Sequence, residues 1–134
     1  MQIVLIIALS LHVLSSVFWA GSSFTLARTG GLGGEKLLVP QIGAATVAIV
    51  TGATLWRLVH EGSFASSEKI LAAGAITALA AIAVQIIIGG GAVRQLRNSA
   101  GDPSGARSRL AVAQRIAAVL LAITAICMGA ARYA

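Results

Sequence analysis

From Met1 to Ala27 the chain carries no Asp, Glu, Lys or Arg, and no other feature limits its fold as severely. Roughly 20 apolar residues in helical form cross the hydrocarbon of a bilayer. Backbone polar groups in hydrocarbon must be satisfied within the protein, so such a segment is a helix and not an open strand. Three further apolar runs follow, and spans are expected at about residues 3–27, 37–59, 70–93 and 110–131. The first run is read as a span and not a secretory leader. It lacks a basic start and outlasts the apolar stretch of about 7–15 residues in such leaders, although Ala20-Gly21-Ser22 resembles a cleavage site.

With 57% hydrophobic and 10% charged residues, against about 25% charged in soluble domains, the composition argues against a water-soluble fold. The net charge of +6 does not signal nucleic acid, because the basic residues flank apolar runs instead of forming a patch. Anionic lipid headgroups or an acidic partner are the expected counter-charges. The lone cysteine, Cys127, rules out an intrachain disulfide and any multi-cysteine metal site.

Arg28-Thr29-Gly30-Gly31-Leu32-Gly33-Gly34-Glu35-Lys36 is a glycine-rich turn without the spacing of a nucleotide loop. Pro40 falls in the first turn of the second span, where proline is tolerated. Ser66 or Ser67 is expected to cap the third span, Gly89-Gly90-Gly91 to end it, and Asn98 to Gly105 to break the chain before the fourth. Short connections make sequence neighbours antiparallel. The expected fold is therefore all-α, an integral membrane up-down-up-down four-helix bundle forming one domain over residues 1–134. Small-residue seams for close helix approach are expected at Ala44, Ala48 and Gly52, at Gly74 and Ala78, and at Ala125 and Gly129.

Arg28, Lys36, Arg94, Arg97, Arg107, Arg109 and Arg115 fall on one side of such a bundle, and Arg57, Lys69 and Arg132 on the other. The positive-inside tendency then puts both termini outside the cytoplasm, in a bacterial inner membrane.

An ionisable residue inside a span is by default a functional-site hypothesis, and His12 is that residue. Helix rise places it about 13 Å from the start of the first span, level with Thr51, Gly52, Thr77 and Thr124. An imidazole facing a glycine leaves room for a flat macrocycle whose iron takes the ring nitrogen axially; the alternative is a histidine simply hydrogen-bonded to a threonine or carbonyl. Arg57, Lys69 and Arg132 lie at span ends on the His12 side, suited to carboxylates of a bound group or to plain interfacial anchoring. His60 and Met128 are candidate further ligands. Copper is the competing metal, with His12, Met128 and Cys127 as donors. Gln85 is expected to make an interhelical hydrogen bond, and Trp19 and Trp56 to sit in interfacial belts or against a cofactor.

His12 through Phe24 resembles the first-helix pattern of the CopD-type and HemJ-type small membrane proteins, a histidine followed by an aromatic-Trp-x-Gly stretch. Gly52 with Trp56, Glu68-Lys69-Ile70-Leu71 and Met128-Gly129-Ala130-Ala131-Arg132-Tyr133 are similar to later segments of these proteins. The resemblance implies a four-helix membrane unit that binds haem b in the HemJ type, where it is tied to protoporphyrinogen oxidation, or is associated with copper uptake in the CopD type. His12 and Lys69 are the positions it carries over. The expectation is a haem b-binding membrane protein working in electron transfer or redox chemistry near the extracytoplasmic leaflet, with a membrane or periplasmic redox partner and scope for a homo-oligomer. A copper-handling protein and a cofactor-free accessory subunit are the alternatives.

Overall fold

The structure is a computed structural model that describes residues 1–60, 62, 65–98 and 102–134. The described residues form helices and no strand: α1 (Gln2–Arg28), α2 (Gly34–Val59), α3 (Ser66–Val84), a π-helical turn (Gln85–Gly89), α4 (Gly90–Arg97) and α5 (Pro103–Ala131). α3, the π-turn and α4 run on as one rod of 32 residues. Among the described residues, four helices are thus long and apolar enough to cross a membrane.

The helices start and stop for local reasons. Gly30, Gly31 and Gly33 take positive φ between α1 and α2, a conformation that costs other residues strain. Ser66 and Ser67 do not cap α3. Its N-cap is Ala65, whose N–H donates to the Glu68 carboxylate at 2.9 Å, so the acid reaching back satisfies a donor at the helix start without a capping hydroxyl. Asp102 caps α5, accepting from the Ser104 N–H at 3.0 Å, with Pro103 in the first turn where no N–H is needed. The expected break from Asn98 to Gly105 therefore shrinks to the segment before Pro103, of which residues 99–101 lie outside the described ones.

The glycines at 89–91 do not end the third helix. Gly74, Ala78, Ala81 and Gln85 form its buried edge, and at 3.6 residues per turn Ile88 and Gly89 would flank that edge about equally. The wider π-turn favours Gly89, where a Cβ would already touch Leu38 and Leu110 methyls at 3.6 Å. Ile88 stays 38% exposed. A small residue is needed where two leucines converge, and the extra residue in the turn supplies it.

α1 lies along α2 and α5, and α3 lies along α5, while α2 meets the third rod chiefly through the π-turn and α4. The N-terminal half of α1 sits beside the C-terminal half of α2, as the His12–Ala48 contact requires. Trp19 of α1 is packed at the centre with Ala45, Ala48, Ala78, Ala81, Ala117 and Leu121. The Gly74–Ala78 seam is realised: a Cβ on Gly74 would lie 3.0 Å from the Cys127 Cβ. The Ala125–Gly129 seam is not, because both residues are exposed and α5 turns Leu121, Thr124 and Ala131 inward.

Candidate functional site

α1 carries one polar stripe. His12, Ser15, Trp19, Ser22, Ser23 and Leu26 recur at three- and four-residue spacing, so they share a face, and Trp19, Ser23 and Leu26 on it are buried. His12 therefore points along the same side as the residue that fills the core. Helix rise sets it about 10 Å from Trp19 along α1.

The imidazole is held by one turn of α2. Nδ1 lies 2.8 Å from the Ala48 carbonyl oxygen and 3.2 Å from Thr51 Oγ1. A carbonyl only accepts, so Nδ1 carries the hydrogen. The Thr51 hydroxyl spends its own hydrogen on the Val47 carbonyl at 2.6 Å and can only be a second acceptor. Nε2 makes no hydrogen bond to the described residues. It also keeps accessible surface, since no buried side-chain nitrogen or oxygen among the described residues is without a partner.

Gly52 was expected to clear space for a macrocycle, and its space has another occupant. A Cβ there would lie 3.0 Å from His12 Cε1 and 3.4 Å from Nδ1. The missing side chain makes room for the imidazole itself. Thr77 and Thr124, placed at this level from sequence, bond to each other at 2.8 Å, and Thr124 also donates to the Gly74 carbonyl at 3.1 Å. They tie α3 to α5 rather than reaching His12.

None of the other candidates is hydrogen-bonded to the His12 ring. His60 stacks on Trp56 with ring centroids 4.9 Å apart, and its Nδ1 is 3.3 Å from the Trp56 carbonyl. It stands eight residues beyond Gly52, roughly 12 Å along a helix. Met128 is 38% exposed. Cys127, the thiol of the copper alternative, sits against α3 at Gly74. Among the described residues no three His, Cys, Asp or Glu side chains converge as a metal cage. Arg57, Lys69 and Arg132 are exposed and make no ion pair or hydrogen bond with the described residues.

A second polar centre went largely unread in the sequence. The Trp19 indole N–H donates to Gln85 Oε1 at 2.7 Å, and Gln85 Nε2 donates to Ser23 Oγ at 2.9 Å and Gln114 Oε1 at 3.0 Å. Gln114 and Gln41 exchange amide bonds at 3.0 and 3.2 Å, and Gln41 also donates to Ser22 at 3.0 Å. All three glutamines have no exposed surface. Gln85 makes the interhelical bond expected of it, but Trp19 belongs to this core and not to an interfacial belt. Gln41, beside Pro40, and Gln114, beside Arg115, lie near the span ends by sequence. Three glutamines in otherwise apolar runs were the available signal.

Near this end, Arg107 pairs with Glu35 and donates to the Gly31 carbonyl at 3.2 Å, while Arg97 donates to the Glu35 carbonyl at 3.2 Å. Two of the basic residues counted for orientation thus pin the glycine-rich turn. Compared with known proteins, the chain matches no family model, no curated protein and no solved structure.

Proposed function

We propose that this chain is a multi-pass membrane protein whose four long helices alternate up-down-up-down, with both ends outside the cytoplasm of a bacterial inner membrane, and that it binds haem b through His12. The observation that carries the haem assignment is His12 Nε2, accessible and without a partner among the described residues while Nδ1–H is fixed on Ala48. A metal-ligating histidine characteristically donates its other ring N–H to a carbonyl or carboxylate. An unpartnered polar atom among apolar helices is otherwise expensive.

The donor set favours a porphyrin over a bare ion. Without a converging cage of His, Cys and carboxylates among the described residues, a copper ion would lack most of its ligands. A porphyrin brings four nitrogens of its own and needs one imidazole. His12 would hold the iron, and Arg57, Lys69 and Arg132, exposed and without an ion pair among the described residues, would face its carboxylates with charge-assisted bonds. Bound in this way, haem supplies one-electron redox chemistry. The chain's own residues orient the ring nitrogen and exclude water through the apolar spans. The resemblance of His12–Phe24 and of Lys69 to the CopD and HemJ types supports the same assignment.

The test is the absorption spectrum of protein purified after haem-replete expression. A Soret band is expected in the wild type and is lost in His12→Ala. A colourless wild type, or a band unchanged in His12→Ala, ends the proposal. Stoichiometric copper without haem would favour the copper-handling alternative.

A further inference from the structure

We infer that the α2 turn from Ala48 to Gly52 is a seat that sets the tautomer and direction of the His12 ring, with Gly52 as the residue that permits it. The Ala48 oxygen, 2.8 Å from Nδ1, fixes the hydrogen on that nitrogen and leaves Nε2, which keeps accessible surface, as the ring nitrogen able to bind. Thr51 Oγ1 at 3.2 Å is the weaker, second acceptor. The ring approaches so closely only because position 52 has no side chain: a Cβ at 3.0 Å from Cε1 is nearer than carbon atoms normally pack. A methyl group there requires the imidazole to give by a few tenths of an ångström, which lengthens the bond to Ala48 and loosens the hold on the ring. Gly52 is therefore a positioning residue acting through His12, and not one that touches the bound group.

The consequence for binding rests on His12 being the ligand proposed above, whereas the seat stands without it, and the experiment separates the two. Full-length protein in detergent, ¹⁵N-labelled at histidine and free of haem, is examined by long-range ¹H–¹⁵N correlation. The wild type is expected to show the Nδ1–H form at His12. Gly52→Ala is expected to give a mixture with the Nε2–H form, while Thr51→Val shifts the ring signals less. Gly43→Ala serves as the control. It makes the same change on the same helix, where no atom lies within 4 Å of the new Cβ, and it leaves the spectrum unchanged.

A wild-type ring in the Nε2–H form overturns the seat directly, even if Gly52→Ala fails to fold. A folded Gly52→Ala with the wild-type pattern also overturns it. In haem-loaded samples Gly52→Ala is expected to lose affinity at least tenfold, with a shifted Soret band, and Gly43→Ala to lose none. Haem bound equally well by Gly52→Ala overturns the positioning role. The expected nitrogen pattern in a wild type that takes up no haem removes the haem proposal and leaves the seat intact.

Discussion

Gln85 touches more of the molecule than its size suggests. Its amide accepts from Trp19 of α1 and donates to Ser23 of α1 and Gln114 of α5, with no solvent to replace any of them. Removing a buried partner costs about 1–3 kcal/mol for each group left unsatisfied. Gln85→Leu is expected to destabilise the protein by about that range at least, in a denaturant or thermal unfolding measurement in detergent. Gln2→Leu, at an exposed position of α1, is expected to change nothing. His12 was legible at this scale because a titratable residue stands out in an uncharged run. The seat beneath it was not, since a backbone carbonyl 36 positions away leaves no mark in residue identities. Gly52 was noticed for the right reason, the room it leaves, but the occupant of that room is the imidazole.

Among the elements, α3 and α5 approach closely at Gly74. Gly74→Ala sets a Cβ 3.0 Å from that of Cys127 and 3.4 Å from the Thr124 oxygen. Overpacking of this kind costs typically about 1–3 kcal/mol. Cys127→Gly in the Gly74→Ala background is expected to recover part of the loss, and Cys127→Ala none, because alanine keeps the Cβ. Gly129→Ala on the same helix meets nothing within 4 Å and is expected to be neutral; unfolding curves of the four variants decide the matter. The start of α5 carries a pH dependence. The Ser104 hydroxyl, and then its N–H, donate to Asp102 and hold that carboxyl below its usual value. A folded pKa below the unfolded one means that the cap contributes fully above the unfolded value and is lost as pH falls through the folded one. The Ser104 amide shift is expected to titrate in that acidic window and to stop doing so in Asp102→Asn. Helix positions were readable from apolar runs, whereas the π-turn was not. It answers to Leu38 and Leu110, which approach Gly89 from other helices.

Over the whole molecule the packing is uneven. Leu26, Gln41, Ala45, Ala81, Gln85, Leu110, Ala113, Gln114 and Ala117 are fully enclosed around the glutamines. At the His12 end, His12, Thr51, Gly52, Leu55 and Trp56 are only half-buried. Local opening is cheapest where few groups are enclosed. Backbone amide hydrogens flanking Gln41, Gln85 and Gln114 are thus expected to exchange slowest, and those of the Ala48–Trp56 turns faster, in hydrogen-exchange mass spectrometry in detergent. Equal protection at both ends would contradict the packing difference.

Apolar run length and the scarcity of charge, by themselves, determined that the chain forms long helices suited to hydrocarbon, and roughly where each lies, because a backbone in an apolar medium must bond to itself. Only the tertiary structure decided which polar atoms meet. Hydrogen bonds between helices depend on rotation and depth to within about an ångström, and many sequences with the same apolar pattern satisfy neither. For that reason three dispersed glutamines became one closed network, and one turn of α2 became the support of His12.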